Sequence, residues 1–433
     1  MSFLGFRNAV SIGVSQHVTM GGPNLLNKLS PSLLLNFAGA QTLDPRITFT
    51  RASTATFTGS NGLIQTAAID APRFDYNPTT LAPLGLLIEE QRTNLLTYSE
   101  QFDNAAWTKT RSSITADATT SPDGTQDADK LVEDTATNTH DMTVSASFTS
   151  GTAYTLSIYA KQAGRNLRIY FPSGAFGSAF SAVFDLSAGT ATIALTGTVA
   201  SITNVGNGWY RCSITQTATA SVTSIFTLRL IEGASTTSYT GDGTSGIYIW
   251  GAQLEAGAFP TSYIPTVASQ VTRSADLASM TGTNFSSWFN ATEGTFFNNV
   301  FLRNAPATNL GSIYAVSNGT SAERILVSMG TGAGGNINAV VTDNSVLQAQ
   351  TINGSLSAAG EYKYANAYKL NDFASVANGG SAAADTSGTL PTVDRLFFGA
   401  NAVGNTGFLN GTISQIAYYP RRLANSELQA ITA

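Results

Sequence analysis

Apolar and polar residues alternate with a period of two along much of this chain. Tyr154, Leu156, Ile158 and Ala160 alternate with Thr155, Ser157, Tyr159 and Lys161; Phe226, Leu228 and Leu230 alternate with Thr227, Arg229 and Ile231. Successive side chains of a strand point to opposite faces, so this pattern predicts half-buried β-strands. Ala182–Leu186 reads as another strand, with Ser187–Thr190 as its turn. Turn signals recur between such runs at roughly 8–12-residue spacing, the pattern of a sandwich or jelly roll. The stretch Tyr239–Thr266 is the most informative. A Gly241-Asp242-Gly243 turn leads into Ile247-Tyr248-Ile249-Trp250, then into a Pro-bounded exit, and predicts the closing strand of one module followed by a linker.

The same reading divides the chain. Residues 1–36 carry Gly21-Gly22-Pro23 and Pro31 without a sustained period, and predict an extended anchoring arm whose Leu33–Phe37 run wants burial. Residues 37–92 hold short strands such as Ile47–Phe49, Thr54–Phe57 and Leu84–Ile88 between turns. Residues 93–266 form the clearest β-domain, 267–274 read as a linker, and 275–433 as a second β-domain. That second domain ends in a short helix, Ala424–Ile431, with Asn425 as N-cap and Leu428 and Ile431 on one face. The fold class expected is mostly β: an N-terminal extended arm, then two β-sandwich (jelly-roll) domains.

Composition sharpens this. Of 433 residues only 11% are charged, against roughly 25% in an average soluble protein. Disorder is excluded by 23 Phe, 15 Tyr and regular apolar alternation, which supply buriable surface. The net charge of -5 and the absence of basic tracts leave no electrostatic footprint for nucleic acid. Cys212 is the single cysteine, so no intrachain disulfide framework exists, and its strand-like setting predicts a buried small hydrophobe. No run of 18 apolar residues predicts a membrane helix, and the first residues lack the basic-then-apolar layout of a signal peptide. The expectation is a protein made in a cytoplasm and not exported by the common route.

Catalytic motifs are scarce. Only His17 and His140 could serve a Ser-His-Asp triad, and no G-x-S-x-G elbow accompanies them. His140 reads as a surface histidine. Glycoside hydrolysis needs two facing carboxylates; Asp242, Glu255 and Glu293 fall in no acid/base motif, and Glu255 reads as solvent-facing. Adjacent Glu89 and Glu90 must point to opposite faces of a strand. The Gly330–Gly335 run lacks the G-K-[ST] ending of a phosphate loop and reads as a hairpin loop. Asp123, Asp127 and Asp129 are candidate ligands of a structural Ca²⁺, with a solvated acidic loop as the plain alternative; no other cofactor is expected. For saccharide contact, Trp209 and Trp250 lie in apolar strand patterns and read as core. Tyr170, Phe171, Phe176 and Tyr239, nearer turns, and Trp107 are the candidates for exposed stacking platforms.

Three blocks carry a family resemblance. Leu43–Thr56, Pro72–Tyr76 and Leu86–Leu95, the last reading LLIEEQRTNL, together resemble the shared N-terminal region of tailed-bacteriophage virion proteins of the head-spike-fibre and tail-fibre type. Ala106-Trp107-Thr108, Tyr154–Lys161, Gly208–Arg211 and Tyr239–Thr266 resemble the phage version of carbohydrate-binding-module jelly rolls. Gly411–Tyr419, Arg421-Arg422-Leu423 and Glu427-Leu428 are similar to the last strand and terminal helix of concanavalin A-like (laminin-G-like) domains. The resemblance implies a non-enzymatic structural component of a virion, as a head fibre, capsid decoration or tail fibre. Its N-terminal region would join other virion proteins, and it would form a homo-oligomer, with a trimer suggested by the family alone. A receptor-binding adhesin for host surface glycans is the alternative, and a capsule depolymerase a more distant one. No membrane insertion is expected.

Overall fold

The computed structural model describes residues 23–193, 198–303, 311–330, 335–354 and 359–433. His17 and most of the Gly330–Gly335 loop lie outside the described residues, as does the arm ahead of Pro23. The chain is mostly β, and every named strand pair is antiparallel. It builds two sandwiches.

The first sandwich is discontinuous in sequence. One sheet runs Ala383–Asp385, Phe373–Ala377, Gly360–Lys369, Glu293–Leu302, Gly411–Tyr419, Pro83–Ile88, Phe74–Tyr76. Gly411–Tyr419 pairs with two early segments along one edge: Gly411 opposite Ile88, and Leu33 opposite Tyr418. The facing sheet runs Thr48–Thr50, Leu277–Thr281, Arg395–Phe398, Ser312–Ser317, Arg324–Gly330, Asn336–Asp343, Val346–Asn353. Their common core joins Leu33, Leu35, Phe37, Leu86 and Ile88 to Phe296, Tyr314, Phe398 and Tyr418. The division at residues 92 and 275 expected from sequence therefore cuts through continuous sheets. The reason is that Gly85–Ile88, apolar throughout, is buried on both faces and needs an interior place in a sheet, which Gly411–Tyr419 and Phe74–Tyr76 provide on its two sides. Gly85, at φ +107, permits the close crossing there, since a Cβ would run into the backbone of Ile413.

Part of the expected arm belongs to this host sandwich too. Leu33–Asn36 is one of its strands, and the Pro23–Lys28 helix places Leu26 in a satellite cluster with Tyr419, Leu423, Leu428 and Ile431. The terminal helix spans Asn425–Thr432 with Leu428 and Ile431 buried. Its N-cap is Ala424 rather than Asn425: the Glu427 carboxylate accepts the Ala424 N–H at 2.7 Å, doing from the third helical position what a capping side chain does.

The second sandwich, roughly residues 95–266, is inserted into the first. Its incoming and outgoing strands, Arg92–Asn94 and Val271–Arg273, pair antiparallel. One sheet runs Val199–Asn204, Trp209–Thr217, Ala153–Ala163, Gly246–Ala256, Ala128–Glu133, Ser112–Thr119. The other runs Thr190–Ile193, Phe180–Asp185, Asn166–Phe171, Val222–Ile231, Asp141–Phe148, Thr108–Thr110. Leu156, Ile158, Cys212, Ile214, Ile247 and Ile249 meet Leu167, Ile169, Phe171, Phe184, Phe226 and Leu228 between them. Gly246–Ala256, the last long strand in sequence, is central in its sheet and flanked on both sides.

The outer faces of the two sheets differ. On the first, Tyr159, Trp209, Trp250 and Tyr263 form a separate buried cluster closed over by Ile64 of the host sandwich's Ala55–Thr58/Ile64–Ala67 hairpin. Trp250 is buried, but on the side away from Ile249 and the sandwich core. The Pro-bounded exit after it folds back as the cover, with the Tyr263 ring 4.6 Å from that of Trp250. Among the described residues no comparable aromatic cluster lies over the outer face of the second sheet.

Candidate functional site

Four of the five aromatic candidates are structural. Trp107 packs on Phe102 and Phe226, with centroids 4.9 and 6.1 Å away. Phe171 and Phe176 face inward beside Phe148 and Phe180, the Phe171 and Phe180 rings stacked at 4.6 Å. Tyr239 is buried, its hydroxyl donating to Glu133 at 2.7 Å and its ring lying under Arg165. Proximity to a turn suggests exposure for Phe171, Phe176 and Tyr239. Strand alternation and the neighbouring sheet decide otherwise.

Tyr170 is the exception. Within Asn166–Phe171, Leu167, Ile169 and Phe171 point to the core, so Arg168 and Tyr170 point out. The register sets Arg168 beside Arg229, and Arg229 beside Asp141, in one cross-strand row. The next row holds Ser181, Tyr170, Thr227 and Thr143. The Arg168 and Arg229 guanidinium carbons lie 5.3 and 5.8 Å from the Tyr170 ring centroid. Both are within cation–π range, so the ring is part of a guanidinium–aromatic cluster rather than a bare plate.

The two arginines are bonded differently. Arg229 grips Asp141 with two bonds, Nε at 2.6 Å and Nη2 at 3.0 Å, and Thr139 adds a hydroxyl donor to the same carboxylate. Among the described residues Arg168 has no carboxylate partner. It donates from Nη2 to Ser181 Oγ at 3.0 Å, and its Nε is buried without a partner. Burial, and then the like charge of Arg229, hold its pKa below the usual arginine value. The face thus presents two cations against one anion, with most of the Arg168 donors unused. Nothing in the alternation of Asn166–Phe171 separates Arg168 from an ordinary surface arginine; only the register to Arg229 does.

The acidic candidates do not form a metal site. Asp123 Oδ1 caps its own turn, accepting from Thr125 N at 2.8 Å, Thr125 Oγ1 at 2.7 Å and Ser121 Oγ at 2.5 Å. Asp129 points elsewhere and accepts the Phe102 and Asp117 N–H groups, while burial raises its pKa to about 6. Among the described residues no three His, Cys, Asp or Glu side chains gather to hold a metal ion. His140, expected at the surface, is buried, with Nδ1 2.8 Å from the Arg111 carbonyl. Glu255 is likewise buried and accepts from Thr261 N at 3.0 Å.

A second constellation lies where the sandwiches meet. Glu89 accepts from Arg73, Arg273 and the Ser262 hydroxyl, at 2.8, 2.8 and 2.7 Å. Asp276 binds Arg51 at 3.1 Å, receives Arg73 and takes the Glu89 N–H at 2.9 Å. These side chains are almost wholly buried. Arg51, Arg73 and Glu89 come from the segments Leu43–Thr56, Pro72–Tyr76 and Leu86–Leu95, and Arg73 and Glu89 both bond the Ser262 hydroxyl of the inserted sandwich. A cavity of about 80 Å³ beside it, lined by Thr54, Thr56, Tyr263, Pro265 and Arg273, is small against the roughly 300–1,000 Å³ of a ligand pocket.

No protein-family model matches the chain, and no curated protein matches it. Among solved structures it is similar to the CBM40 of the Ruminococcus gnavus IT-sialidase bound to alpha2,3 sialyllactose, at 16% identity and TM-score 0.29, covering 35% of this chain and 88% of that one. The NanB sialidase from Streptococcus pneumoniae matches at 14% identity and TM-score 0.29, covering 35% and 26%. The receptor binding domain of botulinum neurotoxin mosaic serotype C/D matches at 12% identity and TM-score 0.27, covering 36% and 39%. At these values what those proteins bind does not carry over to this chain.

Proposed function

We propose that this chain is a non-catalytic component of a tailed-phage particle that displays a saccharide-contacting β-sandwich. The host sandwich and the residues ahead of Pro23 are its particle-facing part; the inserted sandwich is presented outward. The observation that carries saccharide contact is the outer sheet face around Tyr170, where Arg168, Arg229 and Thr143 are partly exposed beside it and Asp141, Thr227 and Ser181 lie buried in the same two rows. Such a face offers the hydrogen-bond donors and acceptors that sugar hydroxyls need. The opposite sheet's outer face is sealed by the junction. Single-site affinity on an open face is expected to be weak and raised by copy number on a particle.

A glycan array probed with the full chain tests this. Binding that is lost in Tyr170→Ala, with an unchanged melting temperature, supports the reading; binding unaffected by that change rejects this face as the contact. Immunogold labelling of purified particles tests the virion assignment separately, and distinguishes head from tail.

A further inference from the structure

We infer that the Tyr170 face takes an anionic saccharide, its carboxylate or phosphate held by Arg168. This rests on the saccharide-contact reading above and names the class of sugar. Three observations carry it. First, the cluster is charge-unbalanced: Arg229 is neutralised by two bonds to Asp141, whereas Arg168 forms no ion pair among the described residues. Second, the inner edge of the Arg168 guanidinium is closed: Nη2 donates to Ser181 Oγ and Nε is buried, so Nη1 is the edge a ligand reaches on this half-buried side chain. A guanidinium donor favours an anionic acceptor over a hydroxyl, because hydrogen bonds to a charged acceptor are roughly twice as strong.

Third, the ring that would stack a neutral sugar is already engaged. Two guanidinium groups lie within 6 Å of Tyr170, so recognition passes through the arginine fork. Asp141, held by Arg229 and Thr139, fixes Arg229 in the cross-strand row and leaves Arg168 as the group open to exchange. A planar fork matches carboxylate and phosphate alike. Uronate and phosphosugar are therefore the two sources of one chemistry.

Isothermal titration of the full chain decides it, using three probes. They are a uronate-containing oligosaccharide, the same oligosaccharide with its carboxyls reduced to alcohols, and a glycerol-phosphate-substituted oligosaccharide. The expected result is that one charged probe binds at least about tenfold more tightly than the reduced one, a difference of about 1.4 kcal/mol. Which charged probe binds identifies the anion. Arg168→Gln should abolish the preference and Arg168→Lys should keep part of it, with both variants melting as the unaltered chain does. Equal binding of charged and reduced probes, or a preference untouched by Arg168→Gln, overturns the inference while leaving saccharide contact intact. Failure of all three probes, together with a blank glycan array, overturns both.

Discussion

Arg73 Nη1 and Glu89 Oε2 lie 2.8 Å apart with both side chains almost wholly buried. The pair brings together two early segments of the host sandwich, and Glu89 also takes Ser262 from the outgoing end of the inserted one. Removing one member of such a network strands the others as buried charges, which is typically costlier than the pair is stabilising. Glu89→Ala leaves Arg73 and Arg273 facing the gap. It should destabilise the chain by about 3–5 kcal/mol in denaturant melts; a loss below about 1 kcal/mol would show that water relieves the junction.

Acid should act on the same pair. Its two arginine partners hold the Glu89 carboxyl well below its ordinary value against a large burial penalty. A depressed carboxyl contributes stability above its unfolded pKa and loses it as pH falls through the folded one. Asp129 has the opposite sign: burial raises it from 3.8 to about 6, so its contribution is present below about 3.8 and lost as pH rises through about 6. The melting temperature should fall between pH 4 and 7 by an increment that Asp129→Asn removes. An unchanged slope in that variant would refute the assignment.

Residues 275–433 expressed alone should not fold cooperatively. They lack Leu33 and Leu35, at 1% and 4% exposure, and Leu86, Leu87 and Ile88, at 0%. At about 1.5–3 kcal/mol for each buried side chain, that loss matches the whole 5–15 kcal/mol typical of a domain. Circular dichroism melts of that fragment and of residues 23–433 make the comparison, and a sharp transition in the short fragment would contradict it.

The aromatic cover over the inserted sandwich predicts a cost at Gly251. Its φ is +62, and a Cβ there would meet Tyr159 at 3.0 Å and Tyr263 at 3.3 Å. Left-handed backbone alone costs an L-residue roughly 1–2 kcal/mol, so Gly251→Ala should destabilise by at least that much. Trp250→Ala should cost about 3–5 kcal/mol as a buried aromatic truncation. Tryptophan fluorescence during unfolding reads both.

How far the sequence carried the fold follows from which interactions were local. Alternation in Tyr154–Lys161 or Phe226–Leu230 is local, and those strands stand where the period of two placed them, although Tyr154–Ala160 is buried on both faces rather than half-buried because the outer face is also covered. One of the two partners of Pro83–Ile88 lies more than 300 residues away, and no periodicity within the segment names it. The buried positions of Phe176 and Tyr239 are set by a facing sheet and by Glu133, neither of which a turn-proximity argument can see. Glu89 and Glu90 lie between Pro83–Ile88 and Arg92–Asn94 rather than in a strand, so strand alternation does not place them, and the arginines that bury Glu89 converge from positions 73 and 273. Tyr170 was legible as an outward aromatic; its two guanidinium neighbours were not, because cross-strand register brought them there.

The pairing of Arg92–Asn94 with Val271–Arg273 has an engineering consequence. A module whose own ends lie about 5 Å apart, the spacing of neighbouring strands, could be spliced between them without lengthening or re-registering any host strand. Such a graft would still arrive without Ser262 and Tyr263, the residues through which the present module fixes its own heading. The two-stranded stem is a generic socket, and the charges and rings beside it are the key.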